Sequence, residues 1–172
     1  RLEGHPGLLS GGVARPGRHR SLEALVSWSY DLLDEAERRL LARLSVLRGG
    51  FELDVAERVA GGEPLALEAV AGLLASLAGK SLVQVQAGAV IRYWLLETVR
   101  QFAAARLAPS GDDTAVHVRL LEWALERFSP RIGLSTAFQI DGVALLDMTY
   151  ELDPSVQVFS VDTGRLPTET YE

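Results

Sequence analysis

Leu82-Val83-Gln84-Val85-Gln86-Ala87-Gly88-Ala89-Val90-Ile91-Arg92-Tyr93-Trp94 is the stretch on which the fold turns. Two runs of β-branched and aromatic residues flank Gln86-Ala87-Gly88-Ala89, so the stretch reads as a β-hairpin. Upstream the apolar period is helical instead. Leu67, Val70, Leu73, Leu74 and Leu77 recur at three- and four-residue steps, and Gly79 closes that helix. A shorter helix over 53–60 precedes it and ends at Gly61-Gly62, whose freedom at positive φ suits a C-cap. Further back, Asp34 and Glu37 fit a capping box in front of the stripe Leu40, Leu41, Leu44 and Leu47, with Gly49-Gly50 as the stop. Leu22, Leu25, Val26, Ser29, Leu32 and Leu33 mark a first helix. After the hairpin, 97–107 returns to helix.

Four helices, a hairpin and one more helix form the order expected of an elaborated winged helix. Residues 1–20 read as a loop or cut end, 21–107 as the winged-helix domain, and Ala108-Pro109-Ser110-Gly111-Asp112-Asp113 as a linker. Asp113 or Thr114 then caps a helix to about Phe128, stopped by Pro130. Ile132-Gly133-Leu134-Ser135 reads as a strand, 140–150 as a helix and Val156 to Val161 as a second strand. Strand, helix, strand implies a parallel crossover. The fold class is therefore mixed: an α-rich winged-helix segment, then a truncated α/β βαβ unit over 114–172.

Charge divides the chain in the same place. Residues 1–107 hold 13 Lys+Arg against 12 Asp+Glu, a net of +1, while 108–172 hold 4 against 11, a net of −7. Duplex readers usually concentrate cations on one face, so these counts argue against DNA as a partner. The chain has no cysteine, which excludes disulfides, thiolate metal sites, iron–sulfur clusters and a cysteine nucleophile within it. No apolar run is long enough for a membrane span and no signal core opens the chain, so a cytoplasmic protein is expected. His5, His19 and His117 are too scattered to suggest a metal site. Trp28, Tyr30, Trp94 and Trp123 sit on apolar stripes and read as packing residues.

In a parallel crossover, the loops 135–142 and 162–165 emerge at one sheet edge, where α/β sheets bind ligands. Ser135 and Thr136 lead toward a helix amino terminus that favours phosphate, and Asp162-Thr163-Gly164-Arg165 supplies a carboxylate, a turn and a permanent cation. An ordinary strand-to-helix turn fits the same pattern.

Two resemblances sharpen these readings. Pro130-Arg131-Ile132-Gly133-Leu134-Ser135-Thr136-Ala137-Phe138-Gln139-Ile140-Asp141-Gly142, followed by Val158-Phe159-Ser160-Val161-Asp162-Thr163-Gly164-Arg165-Leu166-Pro167, resembles the amino-terminal part of the phosphoadenylyl-sulfate and adenylyl-sulfate (PAPS/APS) reductases. That resemblance implies an adenine-nucleotide α-hydrolase-like sheet and a sulfonucleotide ligand, APS or PAPS. It assigns Ser135, Thr136 and Gln139 to a modified phosphate loop, and Asp162, Thr163, Gly164 and Arg165 to a second nucleotide-contacting loop. In the full-length family thioredoxin or glutaredoxin supplies electrons, some members carry a [4Fe-4S] cluster, and a cysteine attacks the sulfonucleotide. With no thiol here, the expectation is a partial reductase with binding loops, no cofactor of its own and no turnover.

Trp28-Ser29-Tyr30-Asp31-Leu32-Leu33, Leu44-Ser45-Val46-Leu47-Arg48-Gly49-Gly50-Phe51 and Tyr93-Trp94-Leu95-Leu96-Glu97-Thr98-Val99-Arg100-Gln101-Phe102-Ala103 resemble the winged-helix region of bacterial NB-ARC/STAND signal-transduction ATPases. This implies the alternative function, a non-catalytic regulatory or interaction module with an intramolecular or protein partner. Leu95-Leu96-Glu97 stands where that class often has Met-His-Asp, so phosphate sensing through the histidine is lost.

Overall fold

The computed structural model describes residues 16–136 and 140–160, with side chains for 24–136 and 142–160. Twelve elements follow in order among them: α1 (Pro16–Asp31), α2 (Glu35–Leu44), α3 (Leu53–Ala60), α4 (Leu67–Gly79), β1 (Gln84–Gln86), β2 (Arg92–Trp94), α5 (Glu97–Ala104), α6 (Leu107–Ser110), α7 (Asp113–Phe128), β3 (Gly133–Ser135), α8 (Ile140–Leu152) and β4 (Gln157–Phe159). The result is an α-rich region followed by a small unit built on two parallel strands.

Helix α2 begins where local chemistry demands. The Asp34 carboxylate accepts from the Glu37 amide at 2.8 Å, and the Glu37 carboxylate accepts from the Asp34 amide at 2.9 Å. Two orphan donors are thereby satisfied reciprocally. Glu37 also receives Ser76 and Lys80, tying α2 to α4. Burial pushes its carboxyl up, but these hydrogen bonds outweigh that and hold it below its ordinary value.

Leu40, Leu41, Leu44, Val59, Val70, Leu74, Leu77 and Val83 sit in one core at 1% exposure or less. The hairpin pairs β1 antiparallel to β2 with Val85 opposite Tyr93, and Phe51 adds a single bridge to Tyr93 on the other edge. Phe51 and Tyr93 rings stack at 6.2 Å, which seats the hairpin on the helices.

Several expectations change. Helix α1 starts at Pro16, inside the segment read as a loop; proline's fixed φ suits a first helical position. Across α1 and the turn after it, Leu25 (61%), Trp28 (65%) and Leu32 (59%) are exposed, so Trp28 is not a packing residue, and Val26 and Leu33 face the core instead. Leu67, expected in the α4 stripe, is 50% exposed. At the α3 end the two glycines divide the work. Gly62 has φ +91°, whereas a Cβ on Gly61 would lie 2.3 Å from the Glu57 carbonyl oxygen and 2.5 Å from Leu67 Cδ2.

The segment 108–113 is not a bare linker. It contains most of α6, then Gly111 at φ +77°, then Asp112, which occupies the N-cap position of α7 yet makes no side-chain cap bond. Its carboxylate is engaged elsewhere: Arg39 and Arg43 both donate to Asp112 Oδ2 at 2.9 Å. Helix α7 packs along α3. Val116 is fully buried in the same core, Arg119 Nε donates to the Val59 carbonyl at 2.9 Å, and Arg58 pairs with Glu126.

Beyond α7, β3 and β4 are parallel, with Gly133 opposite Gln157, Leu134 opposite Val158 and Ser135 opposite Phe159. No helix of the described residues is long and apolar enough to cross a membrane.

Candidate nucleic-acid interface and the parallel-strand edge

The turn between α3 and α4 is fixed in place by one buried cation. Arg43, with its side chain 1% exposed, donates to the carbonyls of Ala60, Gly61, Gly62 and Glu63 and to Asp112. The α3 carboxyl end, where the backbone carries unpaired acceptors and partial negative charge, is thus closed by a guanidinium fork. Burial pushes the Asp112 carboxyl up, but the hydrogen bonds from Arg43 and Arg39 outweigh that and hold it below its ordinary value.

On the hairpin flank, Gly49 (φ +84°) and Gly50 turn the chain beneath β2. Arg92 lies over that turn: its Nη2 donates to the Gly50 carbonyl at 2.7 Å, and a Cβ on Gly50 would sit 3.3 Å from its Nε. Gly49, Gly50, Gln86, Arg92, Trp94 and Leu95 line a shallow hollow there. Arg48 and Arg92 are both exposed. Below them Arg100 forms a two-point bridge to Glu97 and donates to the Ser45 carbonyl. Hydrogen bonds from Arg100 and Gln101 lower the Glu97 carboxyl to about 2, with Arg48 adding a weaker electrostatic pull. Glu97 therefore stays ionised and occupied by its own helix.

At the second candidate site, the parallel register brings Ser135 level with Phe159, and the Thr136 amide donates to the Phe159 carbonyl at 3.1 Å. Ser135 is exposed and Thr136 buried. The start of α8 presses close, since a Cβ on Gly142 would lie 2.6 Å from Thr136 Oγ1. Gln139, Asp162, Thr163, Gly164 and Arg165 lie outside the described residues. On one face of this unit Val143, Leu146, Asp147, Tyr150 and Val158 frame an open apolar hollow.

Among the described residues no cluster of three or more His, Cys, Asp or Glu has metal-binding geometry. The donor set of the chain does not fit the cysteine-ligated cluster of some PAPS/APS reductases, because it offers no thiolate at all. The role of Arg43 and Asp112 is not visible in the sequence. The only signals are an arginine on an apolar stripe and an aspartate just ahead of a helix.

Residues 33–108 match the winged helix-turn-helix domain family. A Mycobacterium tuberculosis protein whose name describes an HTH-type transcriptional regulator is 41% identical over 114 residues, 65% of this chain and 13% of that protein. A second M. tuberculosis protein, without a described function, is 40% identical over 116 residues, 64% of this chain and 28% of its own length. A phosphoadenosine 5′-phosphosulfate reductase of Synechococcus is 38% identical over 53 residues, 31% of this chain and 23% of the enzyme. The chain thus spans 13% to 28% of the length of these relatives. No solved structure matches it.

These matches overturn the charge-based argument against DNA as a partner. A net count gives Arg43, sunk beneath backbone carbonyls, the same weight as Arg48 and Arg92, which face solvent. What a polyanion meets is the surface distribution, not the sum.

Proposed function

We propose that this chain is a regulatory winged-helix module of a transcriptional regulator, that it engages duplex DNA, and that it has no catalytic step of its own. The observation that carries this is the coincidence of the 33–108 match with a helix pair, α3–α4, followed by a paired hairpin bearing exposed Arg92. The similarity to a mycobacterial protein described as a transcriptional regulator supports the same reading. A place within the NB-ARC/STAND signal-transduction ATPases is a finer proposal, resting on the phrases around Trp28, Gly49-Gly50 and Leu95-Leu96-Glu97. Fluorescence anisotropy of the whole chain against labelled duplexes tests the reading: a saturable, salt-sensitive rise is expected, and a flat trace at low salt overturns it.

A second reading is kept for one observation, the level carboxyl ends of β3 and β4. It is a partial sulfonucleotide-binding unit that takes APS or PAPS on Ser135, Thr136, Gln139, Asp162, Thr163, Gly164 and Arg165, without reducing it. Calorimetric titration with adenosine 5′-phosphosulfate should then give heat that Arg165→Ala abolishes. Heat unchanged in that variant, or none at all, removes this reading and leaves the first intact.

A further inference from the structure

As the second helix of the α3–α4 pair, α4 stands where a helix-turn-helix places its recognition helix, yet its outward face is poorly equipped to read bases. Its exposed residues ahead of Gly79 are Leu67, Glu68, Ala69, Ala71, Gly72 and Ala75. Two-point reading of purine edges takes arginine, lysine, asparagine or glutamine, none of which stands on this face; what remains is Glu68, able to accept only from a cytosine amino group, and alanine methyls, able only to touch a thymine methyl. The nearest polar groups at its carboxyl end, Ser76 and Lys80, are committed to Glu37. A lone carboxylate, Glu68, would meet phosphate with repulsion.

The other cations of residues 33–108 are also accounted for. Arg39 and Arg43 hold Asp112, Arg58 pairs with Glu126 and Arg100 pairs with Glu97. Arg38 lies over the Tyr30 ring and Arg106 over Tyr30 and Phe102. Arg48 and Arg92 are different. Both are exposed and flank the Gly49-Gly50 turn, and Arg92 uses one donor on the Gly50 carbonyl while pairing with no acid among the described residues. Glu97, which feels a weak electrostatic pull from Arg48, has its oxygens taken by Arg100 and Gln101 and forms no ion pair with Arg48.

We infer that this module grips duplex DNA by its phosphate backbone at the hairpin flank, through Arg48 and Arg92, and that α4 does not read sequence. The inference rests on the proposed DNA-binding function and adds to it the contact surface and the absence of base discrimination. Phosphate contacts of this kind position a protein and carry no sequence information. They are also salt-dependent, each cation adding about 0.9 to the slope of log affinity against log salt.

The test uses the full chain and two labelled duplexes of equal length and unrelated sequence, titrated across a salt series. The two affinities should agree within about threefold, far from the ~1000-fold or greater gap of specific recognition. The Arg48→Ala/Arg92→Ala double variant should bind at least tenfold more weakly and lose about 2 from the salt slope. Both side chains are exposed, so circular dichroism should show its helix content unchanged. Ala71→Glu, which puts a second carboxylate on the outward face of α4, should change affinity less than twofold. A strong preference for one duplex, or binding abolished by Ala71→Glu and indifferent to the arginines, overturns the inference and leaves the DNA-binding function standing. Wild-type chain that binds neither duplex overturns both.

Discussion

Arg43 is the residue with most to lose. Truncating it would leave the buried carbonyls of Ala60 and Gly61 and the part-buried Glu63 carbonyl without this donor, while the Gly62 carbonyl would keep the Leu65 amide and Asp112 would keep only Arg39. Leaving a buried acceptor unsatisfied costs about 1–3 kcal/mol each, so Arg43→Ala should lower the urea midpoint severely, well beyond Arg58→Ala at the exposed pair with Glu126. Asp112 adds a pH signature. Its folded-state carboxyl is held below the ordinary value, so its stabilising contribution is complete above an unfolded pKa of about 3.9 and disappears as pH falls through the folded value. Glu37 is lowered in the same direction. Urea titrations at successively lower pH should show Asp112→Asn losing part of the acid limb while the Glu37 part remains. The Asp34–Glu37 box was legible because its members are three residues apart. The Arg43–Asp112 pair was not, because 69 residues separate its partners and no local pattern joins them.

The connections between elements place different demands on their glycines. Gly49 sits at φ +84° with nothing within 4 Å of where a methyl would stand, so Gly49→Ala should cost only the left-handed backbone penalty of about 1–2 kcal/mol. Gly61 has an ordinary φ, yet its Cβ would strike the Glu57 carbonyl, a backbone atom that cannot rotate aside without opening the end of α3. Thermal melts should therefore rank Gly61→Ala below Gly49→Ala. The helices from α2 to α5 and both hairpin strands were legible in the sequence, because each has a period or a stop of its own. Which stripe faces inward was not legible where two were available. Along α1 and the two residues after it, Leu25-Trp28-Leu32 and Val26-Leu33 both keep a helical spacing, and packing against α5 selects the second. Around Ser135, the parallel pairing of the two strands was legible from the strand–helix–strand order, but their register was not.

The core does not end where the composition changes. Val116 is fully buried and Leu120 and Trp123 pack against the same cluster as Leu40 and Leu74, which makes α7 part of the helical region's interior. A chain cut after 107 should consequently melt lower and expose more apolar surface to a dye such as ANS than one cut after 130. The break in composition reads as a boundary because proline, serine and glycine cluster there, but a short helix and a positive-φ glycine use the same residues. The two parallel strands present a contrast, three residues each and paired with one another alone among the described residues. Amide exchange should be faster across 133–135 and 157–159 than across α2 and α4. Finally, the carboxylate that neutralises Arg43 follows it by 69 positions. On the ribosome, α2, α3 and the turn beneath them emerge first with an uncompensated guanidinium at their centre. The Arg43–Asp112 pair can therefore form only once the chain has grown past residue 112.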